Sequence, residues 1–247
     1  MSFKDNLAIL TALFVLLYCI FTLGQLVLFL SSHTSLKQNR YRPFVYFGHF
    51  ESLWLQVLAD VCLVGFFVLQ HSVQNHQAVK QFLNSRGLGV FERLFYNFGS
   101  CLALQALMQL WHATPGWVVW QVSTSDHPVV WWIFAAVHCV AWLFIYGGCY
   151  VMDITELLGA RQVIYSLQGV PDPMSLKSEG LRRMYSHMRH PSFSAVTILL
   201  FFHPVMQLDR LLLAHALLLY FLLGTRVDDV DYCYQLRMLQ RKERDLG

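Results

Sequence analysis

The densest cluster of chemically capable side chains is the block Tyr185–Ser192, which contains Arg189, His190 and Pro191. Proline is favoured at the first position of a helix, and the backbone N–H groups that follow it form a site for anionic groups. Arg189 and His190 flank this predicted helix start. The block is therefore suited to binding a carboxylate.

A second charged group follows two short apolar segments, Ser192–Met206 and Leu208–Thr225, which only Gln207 separates. With Pro204 near the turn, these segments predict a tight helical hairpin whose two ends return to the same face. The charged residues expected at about the depth of His190 are Arg226, Asp228, Asp229 and Asp231.

A cation-rich helix start beside a carboxylate-rich helix end suits a zwitterionic ligand that carries a carboxylate, an ammonium and a sulfonium charge. Ordinary interfacial anchors and a helix cap would give the same spacing, and spacing alone favours that simpler interpretation.

Further polar residues are expected at the same face because they lie at the ends of predicted helices. Gln70, His71 and Ser72 close the second apolar segment, and Glu92-Arg93 opens the third. Asp153, Glu156 and Gln162 follow the fourth. A single histidine at a membrane interface more often anchors a helix than binds a ligand. His71 is therefore a candidate site residue only because other polar residues are expected beside it.

Two ionisable residues, Asp60 and His138, lie near the middle of predicted membrane helices. Such residues are costly in a bilayer and usually pair internally, so we expect these two to act as structural contacts and allow that they pair with each other. A transport path is the weaker alternative, since no broken helix or inverted repeat accompanies them. The histidines show no HxxxH or HxH spacing, so no metal site is predicted.

The elements that position these residues are membrane helices. The chain has 247 residues, of which 56% are hydrophobic and 13% charged, and its mean hydropathy is +0.44. A typical soluble domain has about 25% charged residues. This composition excludes a soluble enzyme, a disordered protein and a nucleic-acid binder, and the lipid bilayer is the expected partner.

Apolar segments long enough to span the bilayer, together with the hairpin, predict an all-α polytopic membrane helical bundle. We expect one integral membrane domain, 1–247, with about six transmembrane elements. The predicted spans are 7–30, 53–70, 94–111, 129–152, 192–206 and 208–225.

Positive charges are distributed unequally between the two sides of this bundle. If the spans alternate, 14 of the 18 Lys and Arg residues fall on the side of the termini. The exceptions are Lys37, Arg40, Arg42 and Arg210. The positive-inside rule then places both termini in the cytosol or nucleoplasm. The opposite side is rich in tryptophan, which predicts an interfacial aromatic belt made of Trp111, Trp117, Trp120, Trp131 and Trp132.

Five short motifs occur in the order Gln70-His71-Ser72, Glu92–Tyr96, Leu157–Val163, Arg189-His190-Pro191 and Arg226–Asp229. In this order they resemble the nurim family of multi-pass proteins of the inner nuclear membrane. The resemblance is strongest in 176–242 and extends over nearly the whole chain from the second span onward. It implies a nuclear inner membrane location, with nuclear-envelope proteins as the expected protein partners and no direct contact with nucleic acid.

The nurim family in turn resembles the isoprenylcysteine carboxyl methyltransferases and bacterial methanethiol S-methyltransferases. These enzymes bind S-adenosylmethionine at a cytosolic hairpin that an Arg-His-Pro motif opens and two glutamates close. The resemblance implies that the positions Arg189, His190, Pro191, Asp228 and Asp229 correspond to a cofactor site. From their places at helix ends, we expect Gln70, His71 and Arg226 to form a neighbouring polar cluster.

Four positions depart from the enzyme pattern. Phe193 replaces a tyrosine, Ala195 replaces the usual glycine, and Asp228-Asp229 replaces a pair of glutamates. An aspartate is one methylene shorter, and a displacement of about 1 Å can cost a catalyst about 100-fold in rate. We therefore expect a methyltransferase-like scaffold without catalysis. The alternative is an active S-adenosylmethionine-dependent methyltransferase that acts on a membrane-associated thiol or carboxylate.

The last residues contain the pattern Arg237-x-x-x-Arg241-Lys242-x-Arg244, which Glu243 and Asp245 dilute. A solvated helix face is the favoured interpretation, and a docking motif is the alternative. We expect any nuclear retention to depend on the membrane helices.

Overall fold

A computed structural model describes residues 3–32, 52–124, 126–182, 192–224 and 229–246 of the chain. The helices with described bounds are α1 (Phe3–Ser31), α2 (Leu53–Gln74), α3 (Gln77–Ser85), α4 (Glu92–Leu110), α5 (Pro128–Val151), α6 (Ile154–Leu157), α7 (Ala160–Leu167), α8 (Phe193–Phe201), α9 (Leu208–Gly224) and α10 (Asp229–Leu246). A 3-10 turn, Gly89–Phe91, precedes α4, and two short strands, β1 (Val118–Gln121) and β2 (Val205–Gln207), form one antiparallel pair. The chain is an all-α helical membrane bundle.

The lengths of the helices follow from their uninterrupted apolar sequences. Among the described residues, three helices are long and apolar enough to cross a membrane by length and composition: α1, α2 and α5. Large apolar side chains such as Leu17, Phe66 and Phe144 point outward from these helices and are more than half exposed. Exposed side chains of this kind are stable against lipid, and they give the bundle its apolar outer surface. Helices α4 and α9 nearly coincide with two other predicted spans, whereas α8 covers only the first part of the predicted span 192–206.

The interior of the bundle contains two apolar clusters. The larger one joins α1, α2, α4, α5, α8 and α9, and at its centre lie the fully buried Leu199, Leu200 and Leu213. The smaller one joins α1, α4 and α7 through Cys19, Leu94 and Val163. Because α7 follows the fourth span, this second cluster attaches the connecting segment to the membrane helices.

The predicted helical hairpin is present as α8 and α9. The ring of Phe193 lies 5.5 Å from that of Phe221, and the ring of Phe201 lies 5.3 Å from that of His215. These contacts set the two helices antiparallel. The connection is longer than the single residue Gln207 expected from sequence, because α8 ends at Phe201 and β2 intervenes before α9.

The strand pair joins the hairpin turn to the segment after α4. Val118 pairs with Gln207 and Gln121 with Val205. The indole Nε1 of Trp120 also donates a hydrogen bond to the carbonyl oxygen of His203, at 3.0 Å. Apolar periodicity did not predict these strands, since each has only three or four residues.

The predicted aromatic belt requires one correction. Trp117 and Trp132 are more than half exposed, but Trp111 is only 1% exposed. Its indole Nε1 donates to the carboxylate of Asp209 at 3.0 Å. Trp111 is therefore a core residue, because its single polar group has a buried acceptor.

Candidate functional site

The charged motifs at the open end of the hairpin are only partly within the described structure. Arg189, His190 and Pro191 lie outside the described residues, as do Arg226 and Asp228. Asp229 begins α10, although its side chain is not described.

Gln70 and His71, the other predicted members of the cluster, lie at the C-terminal end of α2. Nδ1 of His71 lies 3.1 Å from the hydroxyl of Ser100, and Nε2 lies 2.5 Å from the hydroxyl of Tyr96. Both hydroxyls belong to α4, so the imidazole connects α2 to α4 through both of its nitrogen atoms. A hydroxyl can donate or accept, which allows the ring to keep both contacts in either neutral tautomer.

The amide side chains of Gln70 and Gln74 pack beside this imidazole. Gln70 Nε2 donates to Gln74 Oε1, and Gln74 Nε2 donates to the carbonyl oxygen of Phe95 at 3.5 Å. A Cβ atom at Gly99 would lie 2.5 Å from Gln74 Nε2. The missing side chain at Gly99 therefore provides the space in which the two amides lie.

Ring contacts connect His71 to the open end of the hairpin. The His71 ring lies 6.3 Å from the Tyr220 ring of α9. The next residue, Phe221, contacts Phe193 at the start of α8. The C-terminal ends of α2 and α9 and the N-terminal end of α8 thus lie at one end of the bundle, as the spacing predicted.

A second polar group at this end connects α6 to α4. Nζ of Lys177 lies 2.6 Å from Oε2 of Glu156, whose side chain is 1% exposed. The backbone carbonyl of Glu156 accepts from Nη1 of Arg93 at 3.5 Å and from Nε2 of Gln162 at 3.2 Å. Asn97 donates to the carbonyl oxygen of Leu157 at 3.0 Å. The segment after the fourth span is therefore held against the start of α4.

Gly159 explains why α6 and α7 can pack so closely on α4. Its φ is +93°, and a Cβ atom there would lie 2.8 Å from the backbone nitrogen of Leu94. Glycine is the residue that adopts this conformation without steric cost.

Asp153 caps the short helix α6. Its carboxylate accepts hydrogen bonds from the backbone N–H groups of Thr155 and Glu156, and it forms an ion pair with Arg161. Desolvation by burial raises the pKa of the Asp153 carboxyl. The hydrogen bonds and the positive charge of Arg161 outweigh it, so this pKa lies below its ordinary value.

A third set of polar contacts lies at the opposite end of the bundle. Asp60 of α2 accepts a hydrogen bond from the backbone N–H of His112 at 2.9 Å and lies 3.1 Å from its Nδ1. His138 of α5 instead lies near Ser31 and Phe202. Each of the two ionisable residues that the sequence placed within spans therefore has its own partner, rather than the mutual pairing that the sequence allowed.

The contacts of His138 form a directed chain. Nε2 lies 2.7 Å from the carbonyl oxygen of Phe202, which can only accept, so this nitrogen is the donor. Nδ1 lies 2.8 Å from the hydroxyl of Ser31, which also accepts from the indole of Trp142 at 2.8 Å. The chain joins α5 to the C-terminal ends of α1 and α8.

Asp209 and Arg210 extend this layer into α9. Asp209 accepts from the hydroxyl of Thr114 at 2.8 Å. Nη2 of Arg210 donates to the carbonyl oxygens of Leu30 at 2.6 Å and Leu199 at 2.8 Å. The charge distribution placed Arg210 on the side opposite the termini, at the start of the predicted span 208–225, and the structure shows that it is 3% exposed. Its burial has a physical reason, because the last carbonyl groups of α1 and α8 lack intrahelical partners and require a buried donor.

Sequence patterns did not identify Lys177, His112 or Arg210 as partners of buried groups. The available signal was the Asp209-Arg210 pair inside an apolar segment, since charges there usually pair internally. Among the described residues, no group of three or more His, Cys, Asp and Glu side chains could hold a metal ion.

The bundle and its interior contacts define an all-α integral membrane protein in which buried polar side chains connect helix ends. Sequence comparison gives the family. A nurim homolog of Drosophila pseudoobscura pseudoobscura is 34% identical over 248 residues, covering 99% of this chain and 98% of the relative. Nurim of Rattus norvegicus is 40% identical over 187 residues, covering 74% of this chain and 70% of the relative. The chain belongs to the nurim family. No protein-family model matches it, and no solved structure matches it significantly.

Proposed function

We propose that this nurim-family chain is a multi-pass protein of the inner nuclear membrane that keeps a methyltransferase-like hairpin as a scaffold without catalysis. The observation that carries the proposal is the use of its buried polar groups. Asp60, His138, Asp209 and Arg210 each contact a backbone or side-chain group of another helix or its flanking residues. Groups committed to such contacts stabilise the bundle, which is the role of a scaffold.

The described start of the hairpin supports the same proposal. Phe193 and Ala195 stand where the related enzymes have tyrosine and glycine. The ring of Phe193 packs at 5.5 Å against Phe221, and Ala195 is 4% exposed within the larger apolar cluster. Position 193 therefore lacks the tyrosine hydroxyl group, and position 195 carries a methyl group buried in the apolar cluster. These two positions support a scaffold without a bound cofactor, and we derive no catalytic step through S-adenosylmethionine.

Nuclear retention is testable because the proposal assigns it to the membrane helices. A fluorescently tagged chain should concentrate at the nuclear rim, and deletion of 235–247 should leave it there. Replacing α1, α2 or α5 with an unrelated apolar span of equal length should shift it to the bulk endoplasmic reticulum. Release by the deletion alone would contradict retention by the spans.

The alternative function is an S-adenosylmethionine-dependent methyltransferase. One observation favours it, namely the Phe193–Phe221 contact that brings the two ends of the hairpin together. Pro191 and Arg226 are only a few residues away from this contact along the sequence. Under this alternative, Arg189 and His190 would hold the cofactor carboxylate, and Asp228 or Asp229 would hold its ammonium group.

Calorimetry with purified full-length protein separates the two functions. The scaffold proposal predicts no heat of binding with S-adenosylmethionine at millimolar concentration. Heat of binding that disappears in His190→Ala, while the variant keeps its thermal stability, would overturn the proposal and support the enzyme.

A further inference from the structure

The short helix α3 has its position set by its neighbours in the chain. It begins at Gln77, two residues after α2 ends at Gln74, and the 3-10 turn before α4 follows it closely. Helix α2 is long and apolar enough to span the membrane. A helix attached so closely to the end of a span must lie at the membrane surface.

The side chains that α3 and its C-terminal turn leave uncovered are both apolar and basic. Phe82 is 57% exposed, and Leu88 is 39% exposed. The guanidinium carbon of Arg86 lies 5.3 Å from the centroid of the Phe82 ring. An exposed aromatic ring beneath an arginine is stable where hydrocarbon meets headgroups, because the ring enters the apolar layer while the charge reaches a phosphate.

The end of α3 is built so that Leu88 returns beside the helix. Gly87 has φ +71°, and the N–H of Leu88 donates to the carbonyl oxygen of Leu83 at 2.9 Å. This is the Schellman arrangement, in which a left-handed glycine ends a helix and reverses the chain. The exposed position of Leu88 is therefore a consequence of local backbone geometry.

The charge of this region favours anionic lipid over neutral lipid. The segment 75–91 contains Lys80 and Arg86 but no Asp or Glu. Lys80 lies 3.5 Å from Glu92, but both side chains are about one-third exposed, so this ion pair is weak. Helix α10 differs, because its Arg and Lys residues are equal in number to its acidic residues.

We propose that α3 and the turn to Leu88 form an interfacial site for anionic phospholipids of the leaflet that surrounds this end of the bundle. Phe82 and Leu88 enter the boundary between headgroups and acyl chains. Arg86 and Lys80 contact the lipid phosphates or carboxylates. The site is independent of the hairpin and of any cofactor.

The first test compares lipid selectivity with full-length protein in bilayers, using spin-labelled phosphatidylserine and phosphatidylcholine. Each basic residue near an anionic surface is worth about a fivefold change in lipid association. Lys80→Gln with Arg86→Gln should therefore lower the preference for phosphatidylserine at least about fivefold. The matched control removes Arg241 and Arg244 from α10 in the same way and should leave the preference unchanged. An equal loss in both double variants, or no preference in the native protein, would overturn the proposal.

The second test locates the ring of Phe82 directly. A photoreactive phenylalanine analogue at position 82 should give lipid adducts in the full-length protein on irradiation in membranes, detected by mass. The same analogue at the exposed position of Gln77, about 140° around the helix, should give few. Equal lipid adducts at the two positions, or none at position 82, would contradict insertion of Phe82.

Discussion

Asp60 and Arg210 show two ways in which a charged side chain is accommodated inside an apolar bundle. Asp60 accepts from a backbone N–H group just after the end of α4, and Arg210 donates to carbonyl groups near the ends of α1 and α8. Helix ends carry backbone groups without intrahelical partners, so buried charges at these points satisfy groups that would otherwise be costly.

Substitution of Asp60 tests its structural role. Asp60→Ala removes the acceptor for the His112 N–H group and should lower the free energy of unfolding by about 1–3 kcal/mol. Asp60→Asn keeps a carbonyl oxygen and should lower it less. Leu58→Ala, at a position of the same helix that is 57% exposed, is the control and should have a small effect. Thermal unfolding in detergent measures these differences, and equal stability of Asp60→Ala and the native protein would refute the role.

Because of Asp153, the free energy of unfolding of the protein should depend on pH. Because the folded state lowers the pKa of this carboxyl, its contribution is present above the ordinary pKa of 3.8 and is lost as the pH falls through the lower folded value. Asp153→Asn should therefore be less stable than the native protein at neutral pH. The two stabilities should become equal under strongly acidic conditions. Denaturation midpoints measured across this range check the expectation. A difference that stays constant down to strongly acidic pH would contradict it.

The short helices that follow the fourth span depend on single residues with special backbone geometry. Gly159 and Gly169 both have positive φ, but only Gly159 lies against another helix. Comparing the two separates the cost of backbone strain from that of a steric clash.

Gly169→Ala should cost about 1–2 kcal/mol, since a left-handed conformation is unfavourable for alanine and nothing lies within 4 Å of the added Cβ. Gly159→Ala should cost clearly more, because its Cβ would also meet the backbone of Leu94 at 2.8 Å. Gly147→Ala, in an open helical position, is expected to be neutral or slightly stabilising. Equal losses in the first two variants would show that α6 and α4 do not pack as described.

At the scale of the whole molecule, the unequal distribution of positive charge predicts that both termini face the nucleoplasm or cytosol. Cys233 in α10 is exposed and reports on this side. A membrane-impermeant maleimide should label it in cells whose plasma membrane alone is permeabilised. Cys233→Ser should abolish that labelling. A cysteine introduced at Val119, in the segment predicted on the opposite side, should react only after all membranes are dissolved. The reverse labelling pattern would show that the termini face the opposite side of the membrane.

The position of the described polar cluster at the end of α2 could be anticipated from sequence, because its residues follow the end of an apolar helix. The meeting of His71 with the hairpin end is one example, since α2 and α9 both end at that face. The hydrogen-bond and ion-pair partners of the buried side chains could not be anticipated. Lys177 reaches Glu156 only because Gly159 and Asn97 bring α6 onto α4, and such packing depends on residues far apart in the chain.

The sequence by itself determined the class of protein, the long apolar helices and the hairpin, because apolar runs and turn residues act locally. Tertiary structure alone decided the interior. Trp111 is buried rather than interfacial, Arg210 binds carbonyl groups at the ends of α1 and α8, and Asp60 and His138 have separate partners. The physical reason is that a buried polar group must find a complementary group nearby, and only the packing of the helices determines which group that is.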